Sequence, residues 1–305
     1  MDKVCQKFDN VWEDFPDTLT KDGKYQFNDE TFLNSYCNHN GCKGDLDKIN
    51  AVFFYLINQF FGPSGFFKDN VKNNINAVEY ILIWLSHMLN LKENKGNILT
   101  IFYKVYIYNQ EKYKNPINGV DGCRNYDDFI YTKNELMNIT NEKLSKFYAP
   151  FKSLCTMYNG FNDSTSDCKT CLNHANEFAN KYKELSEDSS ITNDSTCNKL
   201  LSTLSNDYNK FKEYCNSKGS KCKDYPDIPT IKEIQTSSKK IVQSSEDTSS
   251  SSSVTNKLFT VLSIFGVIAF LLGISYKYSL FGFRKRFQKQ KLREKIKNIK
   301  KKMNQ

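Results

Sequence analysis

The sequence predicts an all-α fold. We expect a helical, disulfide-stabilised domain over residues 1–230, a disordered Ser-rich linker over 231–256, a transmembrane helix over 257–276 and a basic cytoplasmic tail over 277–305. Three observations lead to this prediction. Apolar residues recur at helical spacing in several long segments, glycine and proline number only 13 and 6, and one uncharged apolar run follows the last cysteine.

The clearest helix is expected in DLDKINAVFFYLINQFFGP, where Asp45 or Asp47 can cap the start and Gly62–Pro63 ends the helix. One face of it carries the apolar residues Ile49, Val52, Phe53, Leu56, Ile57 and Phe60. A second helix is expected in NVKNNINAVEYILIWLSHMLNL, whose face carries Val71, Ile75, Val78, Leu82, Leu85 and Leu89.

The segment NILTIFYKVYIYNQ suits helix or strand, and its helical neighbours favour helix. A longer helical stretch is expected from about Tyr126 toward Cys155, with Pro150 kinking or dividing it. Two more helices are expected around Leu172–Leu185 and Asp194–Cys215. The second of these carries, along one side, Cys197, Leu200, Leu201, Leu204, Tyr208, Phe211 and Cys215.

The run from Leu258 to Ile274 contains no charged residue and is flanked by Lys257 and Lys277. Its length is near the lower limit of about 17–25 residues for a spanning helix. We expect it to cross the lipid bilayer once. A buried core helix is the alternative, but the other amphipathic helices have polar faces and this run has none.

The net charge of +9 is concentrated behind this apolar run. From Lys277 onward the chain carries twelve basic residues and one acidic residue, Glu294. The rest of the chain is close to neutral, so nucleic acid is not an expected partner. The basic cluster places the C-terminus in the cytoplasm by the positive-inside rule and suits an anionic leaflet. After Lys277 this cluster continues with Arg284, Lys285, Arg286, Lys289, Lys291 and Arg293.

The tail segment KLREKIKNIKKKMNQ also has helical apolar spacing, at Leu292, Ile296, Ile299 and Met303. This spacing is equally compatible with an amphipathic helix that binds an anionic leaflet or a partner protein and with a solvated stop-transfer tail.

The start of the chain, MDKVCQKFDNVWEDF, lacks the apolar run of an ordinary cleaved signal peptide. The membrane helix is then expected to act as a late signal, and a tail-anchored protein with a cytosolic main domain is the rival topology.

All ten cysteines precede the apolar run, and an even number on the non-cytoplasmic side predicts a disulfide framework. Cys37 with Cys42, and Cys215 with Cys222, are the plausible neighbouring pairs. A zinc site is the alternative, from Cys155, Cys168, Cys171 and His174, or from Cys37, His39 and Cys42. The full set of candidate disulfide cysteines is Cys5, Cys37, Cys42, Cys123, Cys155, Cys168, Cys171, Cys197, Cys215 and Cys222.

No GxSxG, P-loop, GxGxxG or HExxH motif occurs in the chain. We therefore expect no enzyme, and no catalytic, cofactor-binding or metal-binding residue. His87, inside the apolar helix IWLSHMLNL, is expected to be a half-buried helix residue.

N-glycosylation sequons occur at Asn138, Asn162 and Asn193. They are compatible with passage through a lumen, although chance also produces them in a chain rich in asparagine.

The blocks FNDETFLNSYCNHNGCKGDLDKINAVFFYLINQFFG and INAVEYILIWLSHMLNLK precede the Ser-rich linker, the apolar run and the tail FGFRKRFQKQKLREKIKNIKKKMNQ. In this order and with these motifs the chain resembles the Plasmodium interspersed repeat (PIR) family, especially its rodent-malaria branch. The resemblance covers essentially the whole chain. The first two blocks carry it because they combine the cysteine spacing, DLDKI and the VEYI-x-IWLS run.

The resemblance implies a mainly helical ectodomain in a membrane-anchored variant antigen. Such an antigen is expected in parasite-derived membranes or at the infected red-cell surface, where it acts in antigenic variation and immune evasion. An unidentified host receptor protein is the partner that the resemblance implies. The alternative function is a non-displayed structural or trafficking protein of parasite-made membranes. The export motif Arg-x-Leu is absent from the chain, so the export route stays open.

Overall fold

The computed structural model describes residues 1–28, 33, 35–37, 41–92, 96–108, 110–161, 170–218 and 222–230. All of them lie in the first of the two units into which the chain divides, Met1–Ser250. The regular elements of these ranges are helical, and an isolated antiparallel bridge pairs Pro116 with Asn125. The prediction of an all-α fold is confirmed for this part of the chain.

The described helices follow one another along the chain as α1 (Asp2–Asp14), α2 (Asp45–Phe61), α3 (Ala77–Asn90), α4 (Ile98–Phe102), α5 (Tyr126–Tyr131), α6 (Asn134–Met137), α7 (Asn141–Ser145), α8 (Tyr148–Gly160), α9 (Cys171–Glu187), α10 (Ser189–Thr192) and α11 (Ser195–Ser217). A π-helical turn, Tyr103–Ile107, extends α4. Short 3-10 turns occupy Lys72–Asn74, Glu111–Lys114 and Cys222–Asp224.

Helices α2 and α11 form where the sequence predicts them. The N-cap of α2 is Gly44, however, and not Asp45 or Asp47, which are the first and third residues of the helix. The backbone N–H of Gly44 donates to the Asp47 carboxylate at 3.0 Å at the start of α2. The Asp194 side chain accepts from the backbone N–H groups of Thr196 and Cys197 at 2.9 and 3.2 Å at the start of α11. Every residue on the apolar side expected for α11 is buried.

Helix α1 was not expected from the sequence. Its buried residues, Val4, Cys5, Phe8 and Val11, nevertheless recur at helical spacing on one face. The helical signal is therefore present in the segment, although polar and charged residues separate its apolar positions.

The expected long helix from Tyr126 toward Cys155 is wrong in its continuity and in the place of its division. Four helices, α5 to α8, occupy this stretch, and none of the breaks falls at Pro150. Pro150 is the third residue of α8, where the backbone N–H groups have no partner inside the helix in any case. A proline in the first turn therefore costs no hydrogen bond and does not divide the helix.

The core is centred on α8, which packs against α1, α3, α9 and α11. Helix α3 is buried on almost every side, with Trp84 fully buried, and only Glu79, His87 and Asn90 of it are less than buried. A polar contact joins it to α7, because the Ser86 hydroxyl donates to Asn141 Oδ1 at 2.7 Å. Buried aromatic rings from α1, α3 and α8 fill the centre of the domain.

No helix in the described ranges combines the length and the hydropathy that crossing a membrane requires. The expected linker over 231–256, transmembrane helix over 257–276 and basic tail over 277–305 lie outside the described residues.

Candidate interaction surface

A disulfide bond joins α1 to α8, across the longest sequence separation of the bonds described. It links Cys5 to Cys155, which are 150 residues apart in sequence and 4.8 Å apart at Cα. Both residues are fully buried. The Asn159 side-chain amide, one turn beyond Cys155, donates to the Cys5 carbonyl at 3.2 Å. The first helix of the chain is therefore held covalently on the central helix.

Two further bonds close short loops, between Cys37 and Cys42 and between Cys215 and Cys222. Their Cα atoms are 5.1 and 6.0 Å apart, within the range of ordinary disulfides. These are the neighbouring pairs that the sequence favours. Cys171 is also disulfide-bonded. Cys168 and His39 lie outside the described residues.

The structure leaves Cys123 and Cys197 as free thiols. Cys197 is fully buried on α11, and burial, followed by the nearby Asp194 carboxylate, raises the pKa of its thiol to about 12. Cys123 is half-buried, and burial and then Asp128 raise its pKa as well. A candidate set of ten disulfide cysteines therefore contains two without a disulfide partner in this structure.

The two thiols are expected to react with maleimide at different rates. Cys123 should be alkylated in the native protein at pH 7.5, and faster at higher pH because its raised pKa leaves little thiolate at neutral pH. Cys197 should be alkylated only after denaturation, because it is buried and its pKa is about 12. Cys5, Cys37, Cys42, Cys155, Cys171, Cys215 and Cys222 should react only after reduction.

Peptide mass spectrometry of the native protein gives the measurement, with Cys123→Ser and Cys197→Ser variants as controls. Equal native labelling of Cys123 and Cys197 would contradict the burial of Cys197. Labelling of Cys5 or Cys155 without reduction would contradict the α1–α8 bond.

The disulfide bonds occupy cysteines of both alternative zinc sites. Cys155 and Cys171 are disulfide-bonded and therefore offer no thiolate to a metal. His174 instead lies beside Glu177 on the exposed side of α9, with Nδ1 3.4 Å from a carboxylate oxygen. Among the described residues no cluster of three potential metal ligands occurs.

His87 is half-buried on α3, as the sequence predicts. Its ring stacks on Tyr148 with the centroids 3.8 Å apart, and Nε2 lies 3.3 Å from the Asp17 carbonyl oxygen. Because a carbonyl only accepts, Nε2 carries the hydrogen. Burial lowers the pKa of His87, which favours the neutral ring.

The Asp17 carboxylate anchors the same region. It accepts from the Tyr148 hydroxyl and from Lys152 Nζ, each at 2.6 Å. Burial acts to raise the pKa of Asp17, but the hydrogen bonds from Lys152 and Tyr148 and the nearby Lys152 charge together lower it below its usual value. The cluster fastens the segment after α1 to α3 and α8, so its role is structural.

A groove of the described surface lies where α1, the turn after α2, the end of α8 and α11 meet. Its volume is about 880 Å³. Aromatic, basic, acidic and amide side chains share its walls, which are lined by Met1, Asp2, Gln6, Lys7, Asp9, Asn10, Phe66, Tyr158, Asn159, Phe161, Lys210 and Tyr214. The Cys5–Cys155 bond joins two of the helices that form it.

Phe66 is on the wall formed by the turn after α2, and the glycines of GPSG put it there. A Cβ on Gly62 would lie 2.4 Å from the Asn58 carbonyl oxygen, and one on Gly65 would lie 2.6 Å from that of Phe60. Only glycine allows this close return of the chain. The turn directs Phe67 toward Phe60 and Phe61, while Phe66 remains 45 % exposed.

Two lysines of α1 lie over the exposed Phe66 ring. The ammonium groups of Lys3 and Lys7 are 5.3 and 5.1 Å from the ring centroid. Such cation–π contacts contribute about 0.5–1 kcal/mol each at exposed sites. Neither ammonium has an ion-pair partner among the described residues, and burial lowers the pKa of Lys7.

Tyr214 of α11, 37 % exposed, forms the opposite wall together with Phe161. The two rings meet edge to face at 5.5 Å, and Lys218 Nζ lies 5.5 Å from the Tyr214 centroid. Lys210, by contrast, pairs with Asp207 at 3.5 Å. Both walls of the groove thus combine an exposed ring with an ammonium group above it.

A second exposed aromatic patch lies outside the groove. Tyr108 and Tyr131, 52 % and 53 % exposed, flank the nearly buried Tyr103 with ring centroids 6.1 and 5.6 Å away. The Tyr103 hydroxyl donates to Asp127, which also accepts from Lys114 at 2.9 Å. This patch has tyrosines but no comparable pair of ammonium groups over an exposed ring.

The sequence did not single out the groove residues. The FF that follows GPSG is the signal that points to one of them, because segments that follow a glycine- and proline-containing turn run over the surface. Aromatic side chains that stay partly exposed are typical anchors of protein–protein interfaces. The groove is therefore the candidate interaction surface of the described domain.

A family model described as "Plasmodium variant antigen protein Cir/Yir/Bir" matches residues 5–277. Among solved structures, the one titled "Structure of a Plasmodium PIR protein ectodomain" is similar to this chain at 26 % sequence identity and a TM-score of 0.56. The similarity covers 75 % of this chain and 95 % of that one. No curated protein sequence matches the chain.

Proposed function

The chain belongs to the Cir/Yir/Bir family of Plasmodium variant antigen proteins, within the PIR proteins, and on that premise we propose that it is a single-pass membrane antigen whose helical domain faces the host. The observation that carries the proposal is the extent of the family match. It runs from residue 5 to residue 277, beyond the helical domain and through the whole apolar run 257–276.

The helical domain has properties that suit an exposed antigen. Disulfides persist in oxidising, extracytoplasmic environments, and the described bonds stabilise a domain of several short helices. Its stability depends on buried rings and buried cystines, whereas its loops are on the surface. Surface loops tolerate sequence change far better than a packed core. Antigenic variation requires such a surface, which can change in sequence while the core remains folded.

In the proposed topology the apolar run anchors the chain, the basic tail lies at the cytoplasmic leaflet and the helical domain contacts a host protein. The alternative is a non-displayed structural or trafficking protein with its main domain in a reducing cytosol. That environment would keep the thiols reduced. The two functions therefore differ in topology and in the redox state of Cys5 and Cys155.

Intact infected red cells carrying the chain with a C-terminal epitope tag provide the test. Trypsin added outside the cells should remove the helical domain and leave a short tagged fragment that contains the apolar run and the tail. Permeabilised cells should lose the tag as well, and a cytosolic parasite protein should stay intact unless the cells are permeabilised. Complete protection of the helical domain in intact cells would overturn surface display.

A further inference from the structure

We propose that the groove between α1 and α11 binds a protein segment in which a single carboxylate adjoins an apolar side chain. The carboxylate lies at the edge of the groove, between Lys7 and the neighbouring Lys3, and the apolar group lies on Phe66. The inference deepens the proposed function, because it names the chemistry of a partner for the displayed domain. It rests on that function only for the statement that the partner is a host protein.

The first argument is the arrangement of Lys3 and Lys7. They are four residues apart on α1, so their side chains occupy the same face, and like charges at this spacing destabilise a helix. Both ammonium groups nonetheless converge on one ring, at 5.3 and 5.1 Å, with no acidic partner among the described residues. A carboxylate placed between them would relieve the repulsion and form two charge-assisted hydrogen bonds.

The second argument is the exposed ring itself. Phe66 is held in place by the turn at Gly62 and Gly65, and 45 % of it remains accessible. An exposed aromatic ring at the wall of a groove, with two ammonium groups beside it, can serve as an interface anchor. An apolar side chain next to the carboxylate would cover this ring at little entropic cost, since the ring is already positioned.

The acidic residues of the groove restrict the partner further. Asp2 and Asp9 also line it, and the Asp2 carboxylate accepts from the Gln6 side-chain amide at 3.2 Å. Repeated negative charges along a ligand would therefore meet repulsion on both sides of the lysine pair. A protein segment with one carboxylate fits this charge pattern better than a polyanion such as a sulfated polysaccharide.

The test uses the full chain in lipid nanodiscs and a phage-displayed library of random nonapeptides. We expect the selected peptides to carry one Asp or Glu beside an aliphatic or aromatic residue. Their affinity should fall at least tenfold, or about 1.4 kcal/mol, on the double variant Lys3→Glu/Lys7→Glu and on Phe66→Ser. Changing the peptide's acidic residue to its amide should cause a similar loss against the unaltered chain.

Matched controls change the same charges and the same kind of surface elsewhere. Lys21→Glu/Lys24→Glu reverses two exposed lysines that do not line the groove, and Tyr131→Ser removes a ring of similar exposure. Both should alter the affinity less than twofold. Circular dichroism should show unchanged helical content in every variant, because all the altered side chains are on the surface.

Several outcomes would overturn the inference. They are recovery of no peptide with an acidic–apolar pair, equal losses in the control variants, or heparin binding that depends on Lys3 and Lys7. The trypsin experiment on intact cells is independent of these readouts. If the protein is displayed but binds peptides equally well with and without Lys3 and Lys7, the proposed peptide-binding site is refuted and the proposed topology is not. If display is absent but peptide binding depends on the two lysines, the proposed topology is refuted and the binding site is not.

Discussion

The double variant Cys5→Ala/Cys155→Ala is expected to lose more free energy of unfolding than removal of any other disulfide described here. The bond joins residues 150 positions apart, so in the unfolded chain it closes a loop that contains most of the helical domain. In the chain-entropy description, a loop of that length corresponds to about 5 kcal/mol of stabilisation. Since small domains are stable by only about 5–15 kcal/mol, the variant should be close to unfolded.

The matched control is Cys37→Ala/Cys42→Ala, which removes a bond across five positions. The same description gives about 2 kcal/mol for so short a loop. Urea unfolding of the full chain in nonionic detergent, followed by far-ultraviolet circular dichroism, measures both losses. Equal losses for the two pairs would contradict the argument from loop length. Replacing both cysteines of a pair also leaves no odd thiol to form a wrong bond.

The substitution Phe151→Ala is expected to cost about 3–5 kcal/mol, the range for deleting a buried aromatic ring from a core. Phe151 of α8 is fully buried. Its ring meets Phe8 of α1 edge to face at 4.8 Å and stacks on Tyr80 of α3 at 4.6 Å. The cavity would open where three helices meet, and none of them can move inward without breaking its other contacts.

Two comparisons make this result interpretable. Tyr131→Ala removes a ring that is 53 % exposed and should change the free energy of unfolding by less than about 0.5 kcal/mol. Phe151→Leu keeps most of the buried volume and should cost less than the alanine variant. A loss from Phe151→Ala no larger than that from Tyr131→Ala would show that the ring does not join the three helices.

Helix α11 shows how much of the fold was open to prediction. Its apolar residues repeat at helical spacing over the whole length, and an aspartate stands at its start, so both its face and its first residue followed from local physics. The stretch from Tyr126 to Cys155 shows the limit. Its breaks depend on which short helices pack against α3 and α4, and the proline that marks the sequence falls in a first turn, where it has no effect.

The disulfide bonds also differ in whether the sequence could predict them. Pairs five and seven residues apart are close in any compact chain, so Cys37–Cys42 and Cys215–Cys222 were plausible from spacing alone. The Cys5–Cys155 pair was not, because it requires α1 to lie on α8, and α1 was itself unexpected. The two free thiols were equally unpredictable, since an even count of cysteines carries no information about individual partners.

The amino-acid order determined the helical class, the helices α2, α3, α9 and α11 and the family, because helix periodicity, caps and motifs are properties of neighbouring residues. Only the tertiary structure decided the α1–α8 bond and the groove. Lys7, Phe66 and Tyr214 are far apart in the sequence and line one groove because of helix packing. The physical reason is that contacts between distant residues depend on how complete helices fit together, which no local pattern specifies.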